Sequence, residues 1–351
     1  MEKRKRTTIA DIAKLAGVSK TTASMVLNGR ASTFRIKEET RLRVLEVARE
    51  NHYSPNVHAK SLQASRSDAI GLVIPDLTNF GFASIARELE RLCRESGLQL
   101  LIACSEDDPA VERKAVEGLV RRQVDALIVA SSETDDEYYQ SLTKQLPVIQ
   151  LDRHIGQSVL PLVLTDAARA TADLIESIAK DGLSEFYYFG GQLELSPSRH
   201  RLAGFELGLK RAGIETKPEW IRHRDYQTES GYLMMQSLHQ ELGRLPQALF
   251  TASYTLLEGV LRYLKDHECL NALVDKEMRL ATFDNHDLLD CLPLNIDSIA
   301  QNNQQLAKTS FELTLSLINN EKPSAISSVV LDADIFWRSK KSDTNMTNTS
   351  T

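Results

Sequence analysis

Near the N-terminus, apolar positions recur at helical spacing. Ile9, Ile12, Ala13 and Ala16 fall at i, i+3, i+4 and i+7, which predicts a helix capped by Thr8 and broken at Gly17. Ser19 then caps a second short helix that buries Ala23, Val26 and Leu27 and ends at Asn28-Gly29. Its outward positions are Lys20, Thr21, Thr22, Ser24 and Met25. A third helix from about Lys37 to Asn51 supplies Leu42, Leu45 and Ala48 to close a three-helix core, and Tyr53-Ser54-Pro55-Asn56 terminates it. Two helices joined by a short glycine turn, with a third packed behind, predict a helix-turn-helix whose second helix enters the major groove of DNA.

From Ala69 the period changes. Short apolar runs at Ala69 to Ile74, Leu98 to Cys104, Ala126 to Ala130 and Val148 to Leu151 are interleaved with helical stretches near Ala83 to Ser96 and Val111 to Arg122. A second series opens with a helix at Ala167 to Lys180 and continues with strands at Phe186 to Phe189, Ala248 to Thr251 and Leu280 to Phe283. The expected fold is an all-α helix-turn-helix head followed by an α/β body of two lobes, each a parallel sheet covered by helices. Ligands of such sheets bind beyond the C-terminal strand ends, so the cleft between the lobes is the candidate site. Asp76, Ser131, Asp152-Arg153, Arg199 with Arg201, Ser253 and Asp284 fall just after strand ends. Each alone reads more readily as a solvated or structural residue, but together they suit vicinal sugar hydroxyls, which both donate and accept. Residues 57–67 are too short and polar for an independent helix. The expected division is therefore a head at 1–56, a hinge at 57–67, a body at 68–338 and a disordered polar tail at 339–351.

Charge sharpens this division. The chain of 351 residues has a net charge of -6, yet residues 1–67 carry 14 Lys+Arg against 6 Asp+Glu. The rest carries 28 against 42. A basic head on an acidic body fits a module that meets a polyanion, although charge alone would equally mark a solvated head. The four cysteines lack Cys-x-x-Cys spacing and the eight histidines are scattered, so no metal is expected. No Gly-x-Gly-x-x-Gly cradle is present and no cofactor is expected. Arginines beside Asp152 and Asp284 would hold both carboxylates ionised and deny a glycosidase its protonated acid, so no enzyme is expected. With no apolar run of spanning length and no signal-peptide pattern, the expected location is the cytoplasm, away from membranes. A two-lobed sugar-binding protein without a DNA role is the rival from another class, and the basic helix-turn-helix argues against it.

The run Thr8-Ile9-Ala10-Asp11-Ile12-Ala13-Lys14-Leu15-Ala16-Gly17-Val18-Ser19, with Thr22-Ala23-Ser24, Val26-Leu27-Asn28-Gly29 and Tyr53-Ser54-Pro55-Asn56, resembles the DNA-binding head of the lac/gal repressor family. Two extra residues within Arg30 to Arg35 resemble its fructose- and sucrose-regulator branch, as do Ile70 to Pro75, Arg122-Gln123-Val124-Asp125 and Pro246 to Thr251. The resemblance implies a repressor of a sucrose-utilisation operon, or else a fructose-responsive regulator of wider carbon metabolism. Such a repressor would bind a near-palindromic operator as a homodimer and be released by a sugar or sugar phosphate.

The resemblance also implies particular site residues. The candidate DNA set is Thr8, Ser19, Lys20, Thr21, Thr22, Ser24, Met25, Asn28 and the hinge Leu62, which would wedge between base pairs. The candidate effector set is Asp76, Phe80, Ser131, Asp152, Arg199, Arg201, Ser253 and Asp284. Arg201 in Arg201-Leu202-Ala203-Gly204-Phe205 matches the arginine that holds the effector. Where many members read Ala-Asn-Asp, this chain reads Ala252-Ser253-Tyr254, a departure that points to a different sugar or a sugar phosphate. The pair Arg199 and Arg201 would suit a phosphate, although Arg199 is equally placed to cross-link its lobe.

Overall fold

The computed structural model describes residues 7–29, 31–53, 66–319 and 328–340, and the chain divides into two units at Ser67/Asp68. The first unit holds α1 (Ile9–Leu15), α2 (Lys20–Leu27) and α3 (Glu38–Glu50). A capping box starts α1: the Thr8 backbone N–H donates to Asp11 Oδ2 at 2.9 Å, and the Asp11 N–H donates to Thr8 Oγ1 at 3.3 Å. Gly17, at φ +64°, makes the turn that a side chain would strain. The core joins Ile12, Ala13 and Ala16 to Ala23, Val26, Val44 and Ala48. Leu42 and Leu45, expected in that core, are 53% and 38% exposed. Both Leu42-Leu45-Ala48 and Val44-Val47-Ala48 make helical stripes, and α3 turns the second one inward. At 100° per residue this places Leu42 on the face nearly opposite Val44.

The second unit has two lobes. The first carries β1 (Ala69–Ile74), α4 (Phe80–Glu95), β2 (Gln99–Cys104), α5 (Pro109–Arg121), β3 (Ala126–Val129), α6 (Glu137–Leu142), β4 (Val148–Leu151) and β5 (Leu162–Thr165). The second carries α7 (Ala167–Ala179), β6 (Phe186–Gly190), α8 (Ser196–Arg211), β7 (Ile221–His223), α9 (Thr228–Leu242) and β8 (Ala248–Thr251). It continues through α10 (Tyr254–Asp266), α11 (Asn271–Val274), β9 (Arg279–Phe283), α12 (Leu288–Cys291) and β10 (Ile296–Gln301). The chain then returns: α13 (Asn303–Ile318) and β11 (Ser328–Leu331) complete the first lobe, and β12 (Ala333–Phe336) the second.

The strand orders are β11-β5-β4-β3-β1-β2 and β12-β10-β9-β8-β6-β7. All pairs are parallel except β10 with β12. Strands β1, β3, β4, β6 and β8 are buried along their whole length, as parallel strands covered on both faces must be. Among the described residues the backbone passes between the lobes at 165–167, 301–303 and 331–333.

Two boundaries differ from expectation. Asn79 Oδ1 accepts from the N–H groups of Gly81 at 3.0 Å and Phe82 at 3.3 Å, so α4 starts at Phe80, ahead of Ala83. At the other end Ser339 belongs to the body, because its N–H and Oγ both donate to the buried Asp297, at 3.0 and 2.7 Å. Residues 341–351 lie outside the described set. No helix among the described residues is long and apolar enough to cross a membrane.

Helices α9 and α10 meet backbone to backbone. A Cβ at Gly231 would lie 2.2 Å from the Leu256 carbonyl oxygen, and one at Gly259 would lie 2.0 Å from that of Thr228. This contact sets side by side the two N-terminal ends that carry Thr228 and Thr255 into the interlobe cavity. Replacing Gly259 with Ala should therefore destabilise the body by about 1–3 kcal/mol through overpacking against immovable backbone. An unchanged urea midpoint would show that the helices part freely.

Candidate functional site

On the head, Lys20 and Thr21 stand exposed in the first turn of α2, while Thr22, Ser24 and Met25 are partly covered. Ser19 Oγ accepts from the Thr22 N–H at 3.0 Å and lies 2.8 Å from Thr22 Oγ1, so these two residues hold the helix start. Asn28 Nδ2 donates to Ser24 Oγ at 3.2 Å at the other end, and Thr8 is engaged in the α1 box. The N-terminal end of α2 thus presents a long cation and a hydroxyl on a rigid support, the arrangement that reads base edges. Leu62 lies outside the described residues.

In the body a cavity of about 220 Å³ opens between the lobes. The first lobe contributes Asp76, Asn79, Asp107, Asp152 and Arg153, and the second Arg201, Tyr226, Ser253, Thr255, Glu258, Asp284 and Gln301. Arg201 is 6% exposed. Its Nη1 donates to the Ala252 carbonyl at 2.6 Å and its guanidinium lies 3.9 Å from the centre of the Phe283 ring. Arg153, equally buried, donates to Asp107 Oδ1 at 2.6 Å and lies over Phe82. The Nε of each arginine has no hydrogen-bond partner among the described residues. Gln301 Nε2 donates to Asp284 Oδ1 at 3.1 Å. Two buried donors facing several carboxylates are what a polyhydroxylated ligand needs.

Three of these acids are held at positive φ: Asp107 at 59°, Asp152 at 63° and Asp284 at 70°. Such backbone is tolerated by Asp better than by most residues and collects at ligand sites. Burial pushes the Asp152 carboxyl above its ordinary range, and the Asp284 charge adds to this, against the pull of Arg201 and Arg153. The arginines therefore do not pull the Asp152 carboxyl below its ordinary range, because desolvation outweighs them.

Of the eight expected effector residues, Asp76, Asp152, Arg201, Ser253 and Asp284 converge on the cavity. Three do not line it. Arg199 is exposed and its Nη1 donates to the carbonyls of Leu193 and Glu194, both at 2.7 Å, so it braces the loop after β6 and no arginine pair forms. Position 199 is two residues from 201, and on a helix that spacing points side chains to different faces. Ser131 is buried behind the wall, where with Ser132 and Tyr139 it donates to the fully buried Glu112. Phe80 packs its ring on His286, with centroids 4.4 Å apart. Asp107, Tyr226, Thr255 and Gln301 were missed. Asp107, Tyr226 and Gln301 follow or end β2, β7 and β10, and the short polar β7 and the mixed β10 give no apolar run to mark the last two.

Comparison with known proteins agrees with this geometry. Residues 8–56 match the family model "Bacterial regulatory proteins, lacI family", and residues 67–273 match "Periplasmic binding proteins and sugar binding domain of LacI family". The chain is 52% identical to the sucrose operon repressor of Klebsiella pneumoniae, over 92% of this chain and 95% of that one. It is 38% identical to the fructose operon regulatory protein of Vibrio cholerae, over 88% and 93%. Among solved structures it is similar to the Cra regulator of Pseudomonas putida in complex with fructose 1-phosphate, at 34% identity and a TM-score of 0.69 over 77% of this chain and 98% of that one. The fold also follows the lac repressor dimer bound to operator, with a TM-score of 0.80 at 22% identity over 94% and 98%.

The raised Asp152 carboxyl makes a pH prediction. Its folded form takes up a proton more readily than its unfolded form, so it costs stability at neutral pH, and that cost fades as pH falls toward the ordinary carboxylate range near about 4. Asp152→Asn should raise the stability of the body at neutral pH by about 0.5–2 kcal/mol, the usual gain from relieving a functional site. The difference from wild type in urea unfolding should shrink as pH is lowered. A variant less stable at pH 7 would assign Asp152 a structural ion pair.

Proposed function

This chain belongs to the LacI family of bacterial regulatory proteins, and from that premise we propose that it represses a sucrose-utilisation operon in the cytoplasm and is released by fructose. The coarser statement stands on the family itself: it is a DNA-binding repressor with a sugar-binding domain and no enzyme. The 52% identity to the Klebsiella sucrose operon repressor supports the sucrose operon. For the effector the carrying observation is the charge of the cavity wall. Asp76, Asp107, Asp152, Glu258 and Asp284 face it against Arg153 and Arg201 only, and Arg153 is already paired with Asp107. A dianionic phosphate gains little there, whereas a neutral hexose finds acceptors and two buried donors. The cavity is also smaller than the roughly 300–1,000 Å³ of drug-sized sites, which favours a monosaccharide over sucrose. Fructose 1-phosphate is the second reading, favoured by the likeness to the Pseudomonas Cra complex. The likeness to the fructose operon regulatory protein supports a fructose-responsive regulator as the alternative to the sucrose operon.

In this reading a homodimer sits on a near-palindromic operator with Lys20, Thr21 and Met25 facing bases and Leu62 at the hinge. Thr8, Ser19, Thr22, Ser24 and Asn28 seat the head on phosphates and fix α2. Sugar binding closes the lobes and weakens DNA binding through unequal affinity for the free and bound forms. A typical coupling of about 1–3 kcal/mol gives a roughly 5- to 150-fold loss of operator affinity.

Operator affinity measured with fructose, fructose 1-phosphate and sucrose should fall most with fructose for wild type, and not at all for Arg201→Ala, which keeps its DNA binding. A wild-type curve that moves only with the phosphate would replace fructose by its 1-phosphate. On the head, Lys20→Ala should cost about 1–3 kcal/mol and relax preference at one base position per half-site. Equal weakening on every sequence would assign Lys20 to the phosphates instead.

A further inference from the structure

The rings of Phe80, His286 and Tyr254 form a continuous stack between the lobes. Phe80 opens α4 in the first lobe and its ring centre lies 4.4 Å from that of His286 in the second, tilted by 51°. His286 in turn stacks on Tyr254 at 5.0 Å and 21°. Each ring adjoins the cavity wall in sequence: Phe80 lies between Asn79 and Gly81, Tyr254 lies between Ser253 and Thr255, and His286 follows Asp284 by two residues. The loop that carries His286 is fixed to its own lobe. Asn285 Oδ1 accepts from Arg338 Nη2 and from Ser298 Oγ, both at 2.8 Å, and His286 Nδ1 accepts from the Leu288 N–H at 3.0 Å. Among the described residues the lobes are joined by three backbone passages and by the His154 N–H donating to Ser196 Oγ at 2.8 Å, so a change of lobe angle also falls on the Phe80–His286 contact.

The geometry points to an interlobe clasp: Phe80 against His286, backed by Tyr254, holds the two walls of the cavity together and thereby tightens effector binding. This assigns Phe80 a partner in the opposite lobe in place of a contact with the sugar. It also gives Tyr254, where many relatives place an acid, a positioning task. The inference rests on the effector reading above only for its second readout. Aromatic pairs of this kind correspond to about a 2- to 10-fold change in an equilibrium.

The test is amide hydrogen exchange, read by mass spectrometry on the full-length protein without sugar, for wild type, Phe80→Ala, His286→Ala and His286→Phe. His286→Ala should speed exchange about 2- to 10-fold at 79–83 in the opposite lobe. Phe80→Ala should do the same at 285–289, and His286→Phe, which keeps a ring but not the imidazole nitrogen, should match wild type. Fructose affinity should fall by a similar factor in His286→Ala and recover in His286→Phe. Unchanged exchange at 79–83 in His286→Ala, equal acceleration by Phe and Ala at 286, or full fructose affinity in His286→Ala overturns the clasp. If wild type binds no fructose, the effector assignment fails and the exchange result alone decides the clasp.

Discussion

A buried guanidinium organises the body. Arg201 is almost fully removed from water, and leaving a charge there unpaired costs several kcal/mol. Its own lobe answers with the Ala252 carbonyl, the face of Phe283 and the carboxylate of Asp284, and the opposite lobe with Asp152. The charge that the second lobe carries is therefore answered mainly from within that lobe, and the attraction of Asp152 across the cleft comes at a desolvation cost that exceeds it. The same set leaves the Arg201 Nε without a partner among the described residues, a donor that the proposed sugar would use. The charged groups around Arg201 are thus the same ones that line the cavity.

The rest of the body keeps that arrangement in register. Parallel sheets bring Asp76, Asp152, Ser253 and Asp284 to the C-terminal strand ends, Arg201 and Glu258 reach the cavity from α8 and α10, and the close approach of α9 and α10 through Gly231 and Gly259 fixes the ends that bear Thr228 and Thr255. Asp107, Asp152 and Asp284 take left-handed backbone, which aims each carboxylate where an ordinary loop conformation would not. These are costs that burial of large apolar strands offsets elsewhere in each lobe. The C-terminal Arg338 and Ser339 add a last constraint, tying Asn285 and Asp297 together beneath the cavity loop.

Much of this was legible in the sequence because periodicity and caps are local. The helix-turn-helix followed from Thr8, Gly17 and Ser19, and the two lobes from buried strand runs bounded by helical stretches. Five of the eight candidate effector residues line the cavity, and the rule that ligands sit beyond strand ends is what singled them out, together with Ser131 and Arg199, which do not line it. What failed was directional. Arg199 and Arg201 are near neighbours in sequence, yet the helix turns one to solvent and one into the core. Leu42 and Val44 both belong to regular stripes, and only packing against α1 and α2 chooses between them. The return of α13 and β11 to the first lobe was not read at all, because a linear scan assigns consecutive elements to one body while crossovers depend on tertiary pairing.

The motif Ala252-Ser253-Tyr254 shows why a departure from a family pattern is read better in space than in a chain. In sequence, a missing Asn and acid argue only that the ligand differs. In the structure Ser253 accepts from the Leu256 N–H at 3.2 Å and caps α10, while Tyr254 turns away from the cavity to stack on His286. The departure at 254 therefore places a ring against His286 and not on the cavity wall. On the clasp reading, the aromatic contact across the cleft and the carboxylates of the wall together set a balance between direct binding and closure. In a repressor that balance matters more than affinity alone, since a sugar shifts DNA binding only by the difference in its affinities for the two lobe arrangements.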